Sequence, residues 1–427
     1  MTDVFDAIVV GAGPAGCSAA YSLAKERLEV LLVERGRSAG SKNMTGGVLY
    51  GAVLNGLIPD FWKEAPVERR IERHVISFLS GDSSFSLDFN KGVSEDPGAF
   101  SVLRARFDRW FADKVEEVGG IVATGLLADD LVRSEGRISG IVAGGDEILG
   151  QVVIAADGVN STMARNAGLD VKLSPSNVNQ GIKEVLQLPR DTIEDRFNLE
   201  GDGGAAIHFL GECTRGLHGG GFLYTNKESI SLGVVVQLQA LAQNGVKAVD
   251  LLEGFKTHPA VKEYVRGGTT LEYSAHLVPA GGVSMIPPLY TDGMLVAGDA
   301  AALVLATGRA LEGINFAIAS GMAAAQTVKQ AREAGDYSKA TLSTYERLLK
   351  ETFVLQDLAE FRKAAGFLDN PRLYDTYPGL ACAVAEGLFL SDGNPKKKAW
   401  SVLREEMKGK VSLWRLLRDA MAARGAM

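Results

Sequence analysis

The residues most able to do chemistry lie in three Gly- and Asp-bearing segments, each placed directly after a short strand-like run. The first segment, Gly11-Ala12-Gly13-Pro14-Ala15-Gly16, follows the run Asp6 to Val10. Gly11 permits a tight turn out of a strand, Gly13 lets backbone N–H groups approach a pyrophosphate, and Gly16 lets the next helix lie close to the strand. A second apolar run, Val30 to Val33, ends in Glu34 and Arg35. If the two runs are adjacent parallel strands, the Glu34 carboxylate accepts hydrogen bonds from an adenosine ribose. The chemistry predicted is dinucleotide binding.

The other two segments are Asp157-Gly158, after Val152 to Ala156, and Gly298-Asp299, after Met294 to Ala297. Continuous apolar runs of this length are what buried parallel strands look like, and such sheets bind ligands at the carboxyl ends of their strands. Three such ends describe one extended site. Asp299, just ahead of a helix, is placed to accept from a ribityl hydroxyl while nearby N–H groups hold a pyrophosphate. An NAD pocket needs only the first segment, and neither a second glycine triplet nor a Cys pair on the first long helix is present. The pattern favours FAD.

These segments must be carried by an α/β sheet with insertions. Residues from about Ile71 to Phe89 alternate polar and apolar, and read as antiparallel strands; Ile121 to Gly125, Leu131 to Ser134 and Ile138 to Val142 read as strands of an inserted layer. From Gly168 to Ala275 extended segments alternate with polar turns, predicting a second, mostly antiparallel lobe. Gly313, Ile314 and Asn315 open an Ala-rich helix whose N-terminus brings partial positive charge toward flavin N1 and O2, favouring the reduced anion. After Thr341 helices dominate.

Composition narrows the function classes. The chain has 427 residues, 46% of them hydrophobic, and no uninterrupted apolar stretch long enough to cross a membrane. Its start runs directly into the first strand, which predicts no secretory leader and a cytoplasmic protein. Cys17, Cys213 and Cys382 are too scattered for a disulfide framework or a cluster site, so any iron-sulfur cluster is expected on another chain. The five histidines show no metal-ligand spacing, so no metal is expected. Formal net charge is -7, yet from Lys396 to Arg424 nine basic side chains stand against three acidic ones. That basic tail fits an anionic membrane surface, an acidic partner or a solvated helix face, and no nucleic-acid motif accompanies it.

With these residues assembled, the chain resembles the FixC and electron-transferring-flavoprotein:quinone oxidoreductase family over nearly its whole length, itself similar to geranylgeranyl reductases and para-hydroxybenzoate-hydroxylase-type flavoproteins. The segment Ser41 to Tyr50 followed by Ile58-Pro59-Asp60-Phe61, and the segment Val102 to Trp110, carry the likeness. The resemblance implies a Rossmann-type FAD-binding domain (1–70, 100–167, 276–335), an inserted antiparallel β-sheet quinone domain (71–99, 168–275) and a helical docking region (336–427). It implies that Thr45, Gly46 and Gly47 lie against the isoalloxazine and that Arg104 neighbours FAD, the alternative for Arg104 being an exposed residue at a helix start. Gly219, Gly220, Phe222 and Tyr224 look like a quinone segment; a Gly-rich strand also fits a simple bulge. One departure stands out: Ala302 occupies a position where many relatives carry Gly.

Relatives of this kind imply a role in a FixABCX-type complex. FixA/FixB-type flavoprotein subunits would donate electrons, a FixX-type ferredoxin-like subunit would hold the cluster, and the acceptor would be quinone at the inner face of the cell membrane, with electron bifurcation in the flavoprotein pair. Val411, Trp414, Leu417 and Met421 share a helical face suited to membrane contact or to core packing. A prenyl lipid reductase and a non-catalytic relay scaffold are the competing readings.

Overall fold

The computed structural model describes residues 4–41, 47–91, 97–308, 310–391 and 393–427. The apolar runs form a parallel sheet in the spatial order Met294–Val296, Val153–Ala155, Ala7–Val10, Val30–Glu34, Ile121–Thr124, with Tyr290–Thr291 antiparallel at one edge. Their β-branched and aliphatic side chains are buried in one core with the helices Pro14–Lys25 and Arg104–Glu117 and with Leu131, Ile138 and Ile141 of an antiparallel layer, which is why the runs lack alternation. Ile121–Thr124, expected in the inserted layer, is instead the edge strand beside Val30–Glu34, and its exposed Ile121 marks that edge position. The inserted layer proper is the three-stranded antiparallel sheet Ala128–Ser134, Arg137–Ala143 and Asp146–Leu149.

Two helices converge on the carboxyl ends of the parallel strands. Pro14–Lys25 leaves the first strand, and the long Ile314–Ala334 lies against it. Close approach requires small side chains: a Cβ on Gly321 would sit 2.1 Å from Ser18 Oγ and 2.2 Å from the Ala15 carbonyl. Ser18 Oγ bridges the pair by donating to the Ile318 carbonyl at 3.0 Å.

The second sheet runs Thr269–Pro279, Val178–Gln187, Ser229–Gln237, Gly219–Thr225, Gly203–Gly211, Val67–Ser80, Ala99–Val102, Val48–Tyr50, with Ser83–Asn90 paired to Val67–Ser80. It crosses the expected domain boundaries, taking in Val48–Tyr50 and Ala99–Val102 and extending to Pro279. One face buries Ile182, Ile207, Leu223, Leu232 and Val234 in a core covered by the helices Arg190–Phe197, Ala248–Thr257 and Pro259–Val265. The opposite face looks toward the nucleotide sheet. Among the described residues no helix is long and apolar enough to cross a membrane.

Candidate functional site

A single cavity of about 440 Å³ runs from the parallel strand ends to the inner face of the second sheet. At the nucleotide end Gly11 adopts φ +104°, and a Cβ there would sit 2.4 Å from the Ala156 carbonyl; one on Gly16 would sit 1.8 Å from the Gly11 carbonyl. Neither glycine could carry a side chain without moving backbone. Gly13, the N-cap of Pro14–Lys25, provides no side-chain cap, and neither does Gly313 at the start of Ile314–Ala334. Both helix N-termini therefore present unpaired N–H groups and partial positive charge, and both sites line the cavity.

The acids divide into two kinds. Glu34 accepts from the Ala12 N–H at 3.0 Å and the Gly36 N–H at 2.6 Å, so it pins the glycine loop and keeps lone pairs for a ribose. Asp157 spends its carboxylate on a helix start, accepting from Ser161 Oγ at 2.5 Å and the Thr162 N–H at 2.9 Å. Asp299 is half-buried in the cavity wall, and desolvation raises its pKa against the pull of His276 and Arg104. Burial works to lower the pKa of Arg104, yet Asp108 more than offsets it through two 2.7 Å hydrogen bonds, so this guanidinium is fixed and not an exposed helix-start residue.

Of the residues named from sequence, the cavity wall brings together Gly11, Gly13, Pro14, Ala15, Glu34, Arg35, Gly47, Arg104, Asp157, Gly158, Asp299, Gly313 and Ile314. Gly219, Gly220, Phe222 and Tyr224 line its other end. Gly16 lies beneath the loop rather than on the wall, and Gly298 donates its N–H to Ser320 Oγ at 3.0 Å. Asn315 is buried, with Nδ2 on Glu312 and Oδ1 lacking a donor. Thr45 and Gly46 lie outside the described residues. The uncapped helix starts, the side-chain-free cradle and this orphaned acceptor fit a dinucleotide with an anionic centre and hydrogen-bonding rings.

At the acceptor end, register explains the wall. Cross-strand partners share a face, so His74, Ala206 and Tyr224 form one row, Ile76, His208 and Phe222 the next, and Gly220 and Val235 a third. Phe222 stacks on Tyr224 with centroids 5.0 Å apart, and its ring lies over Gly233, where a Cβ would come within 2.4 Å. Gly47, on the loop expected beside the flavin, abuts the same Tyr224 ring, 2.6 Å from a Cβ placed there. Burial lowers the pKa of His208 to about 4, with His74 pushing the same way. It raises that of the Tyr224 phenol. The wall is largely apolar, and desolvation favours the neutral forms of its His74, His208 and Tyr224.

Sequence reasoning missed most of these side chains. Four of the five histidines, His74, His208, His218 and His276, line the cavity, as do Leu368 and Tyr374 of the C-terminal region. Their sequence spacing carries no signal because they come from separate strands; only strand alternation combined with the correct pairing could have found them.

Fold and site define an FAD-dependent oxidoreductase, and residues 6–72 match the family model described as FAD dependent oxidoreductase. Residues 179–278 match the model "ETF-QO, ubiquinone-binding" and residues 364–427 the ETF-QO/FixC family C-terminal domain. The chain is 45% identical over 422 residues to Protein FixC of Escherichia coli O157:H7, covering 98% of each. It is 43% identical over 427 residues to the probable electron transfer flavoprotein-quinone oxidoreductase YdiS of Escherichia coli (strain K12), covering 100% of this chain and 99% of that one. The chain belongs to the ETF-QO/FixC family. Its fold is shared with a geranylgeranyl bacteriochlorophyll reductase-like protein from Thermoplasma acidophilum, at 22% identity and a TM-score of 0.75 over 99% of both chains.

Proposed function

We propose that this chain is the FAD-bearing subunit of a FixABCX-type assembly that passes electrons from a FixA/FixB-type flavoprotein pair to a membrane quinone. The carrying observation is the continuity of one cavity from the nucleotide strand ends to a largely apolar wall with Gly219 and Gly220 in its surface. When bound, FAD supplies reversible electron storage, and the protein supplies position and electrostatics. The N-terminus of Pro14–Lys25 holds the pyrophosphate, Glu34 the ribose and Asp299 the ribityl chain. The N-terminus of Ile314–Ala334 favours negative charge on the flavin ring. Gly219 and Gly220 let a flat quinone head meet backbone, while Phe222 and Tyr224 exclude water from the route between the rings.

The cluster belongs, in this reading, to a FixX-type ferredoxin-like subunit, and bifurcation to the flavoprotein pair. Docking is cytoplasmic, on the inner face of the membrane, through the C-terminal region. Trp414, Leu417 and Met421 are exposed there, with Phe389 and Leu390 nearby in sequence, whereas Val411 is buried and belongs to the packing of that region. Lys408, Lys410, Arg415 and Arg418 supply complementary charge for anionic lipid.

Substituting Gly220→Leu tests the site. A Cβ at Gly220 already falls 2.9 Å from the Phe209 carbonyl, so the larger side chain must project into the acceptor end. Purified protein is expected to keep FAD and lose roughly 100-fold in reduction of a short-chain ubiquinone analogue, a cost of about 2.7 kcal/mol in the transition state. Unchanged reduction with FAD retained would instead favour a relay scaffold.

A further inference from the structure

The acceptor end holds one arrangement that quinone binding alone does not require. His218 immediately precedes the strand Gly219–Thr225 and lines the cavity beside Gly219 and Gly220. Its carbonyl accepts from the Gln237 N–H at 2.9 Å, which fixes the backbone. Its ring lies face to face with Tyr374, centroids 4.8 Å apart and planes 17° from parallel. Tyr374 is itself held, because its hydroxyl donates to the Leu368 carbonyl at 2.7 Å. The Nδ1 atom of His218 is 3.5 Å from Asp369 Oδ1, and that carboxylate is 66% exposed.

We propose that His218 is the proton donor to the bound quinone and that Asp369 connects it to solvent. The inference rests on the quinone reading. Converting a quinone to a quinol takes two electrons and two protons, with an O–H bond formed at each carbonyl oxygen. The reduced flavin supplies the electrons. One proton passes from Nε2 of protonated His218 to the oxygen nearest Gly219 and Gly220, breaking that N–H bond and leaving a neutral imidazole; the far oxygen takes the second from solvent, to which the proton released on flavin oxidation returns. Asp369 stabilises the imidazolium before transfer, and the ring is reprotonated from solvent afterwards.

Other candidates at the wall lack one half of this arrangement. Desolvation lowers the pKa of both His208 and His74, and among the described residues no carboxylate forms an ion pair with either; desolvation likewise holds the Tyr224 phenol protonated. His276 does feel a carboxylate, Asp299, but both sit in the buried nucleotide end. His218 combines a place on the cavity wall, an acidic partner and a route to water. The titratable groups facing it are Asp369 and Tyr374 of the C-terminal segment; the neighbouring strand contributes the uncharged Gln237, whose Nε2 is 3.5 Å from the same Asp369 oxygen. Burial lowers the pKa of His218 and Asp369 opposes it, so the ring takes up its proton most readily when negative charge develops on the acceptor.

The test uses chemically reduced holoprotein mixed anaerobically with a short-chain ubiquinone analogue or with ferricenium, a one-electron acceptor that takes up no proton. His218→Gln is expected to slow flavin reoxidation by the quinone roughly 100-fold and to leave the ferricenium rate unchanged, which also shows the variant folded and loaded. In Asp369→Asn the quinone rate should begin to fall at lower pH than in wild type. Independently of turnover, histidine ring-proton NMR of the oxidised holoprotein, with the His218 signal identified by its loss in His218→Gln, should show a lower titration midpoint in Asp369→Asn. An unaltered quinone rate in His218→Gln, or an unmoved midpoint, overturns the relay while leaving quinone reduction intact. Wild-type protein that reduces ferricenium but no quinone overturns the functional reading and the relay with it.

Discussion

At the nucleotide end of the cavity the groups offered to a ligand are mostly backbone: N–H groups of two uncapped helix starts, and glycines whose missing side chains make room. At the acceptor end they are side chains from four strands, a loop and the C-terminal region, meeting on one sheet face. The difference bears on how each end fails. A backbone cradle is set by local conformation, so one added methyl breaks it outright. A wall of separately anchored side chains loses function piece by piece and leaves the cofactor in place.

The strongest way to break this contrast is Gly16→Val. Its Cβ alone would overlap the Gly11 carbonyl at 1.8 Å, so helix and strand must separate. Overpacking of this kind costs about 3 kcal/mol or more, and the purified variant should contain almost no FAD by its visible absorbance. If FAD remained at wild-type occupancy, the nucleotide end would not be the rigid cradle described. Set beside Gly220→Leu, which should keep its flavin, the pair separates the two ends in one spectroscopic comparison.

Asp299→Asn sharpens the nucleotide side. Burial raises the Asp299 pKa, so the folded apoprotein holds that proton more tightly than the unfolded chain does. Its contribution to stability is therefore fully present below the ordinary carboxylate value of about 4 and is lost as pH rises through the raised folded value. The variant apoprotein should lack this slope in urea denaturation across that window. With one charge-assisted hydrogen bond gone, FAD should bind roughly 10- to 100-fold more weakly, measured by fluorescence titration.

The same contrast explains what was legible beforehand. Gly11 to Gly16, Glu34, Asp157 and Asp299 each follow an apolar run in the sequence, because a strand end and its turn are neighbours along the chain. The parallel sheet could be read for the same reason. His218 and Asp369 are 151 positions apart, and nothing local to either one predicts the other. The Ile121 strand is hard to place from sequence because a short edge strand, exposed at both ends and nowhere fully buried, lacks the continuous apolar run of its neighbours; its pairing with Val30–Glu34 decides where it belongs.

Asp419→Asn tests the acceptor side through its support. Asp419, on the terminal helix Leu413–Arg424, accepts from Arg372 Nε at 2.7 Å, the Tyr377 hydroxyl at 2.5 Å and Asn370 Nδ2 at 3.1 Å. Arg372 foremost, then Tyr377 and Asn370, hold its pKa far below the usual carboxylate range. A depressed carboxylate contributes stability that is present above its unfolded pKa and lost as pH falls through the folded one. Losing the charge should cost about 1–3 kcal/mol at neutral pH. Because Asn370 and Arg372 lie between Asp369 and Tyr374, KM for quinone should rise a few-fold while FAD content stays constant.

The smallest effect is expected at Ala302. This residue adopts φ +54° and ψ 31°, a left-handed conformation that suits glycine better than alanine. Ala302→Gly relieves about 1–2 kcal/mol of that strain. Against this stand the loss of a buried methyl beside Val171 and Met285, worth about 0.8 kcal/mol, and a further 0.4–1 kcal/mol, roughly, of added freedom in the unfolded chain. The terms nearly cancel, so thermal unfolding should shift by an amount equivalent to less than about 1 kcal/mol, with FAD content and quinone reduction unchanged. A large loss of FAD in this variant would mean that the cradle depends on a side chain after all, and the division between a backbone-built end and a side-chain-built end would have to be redrawn.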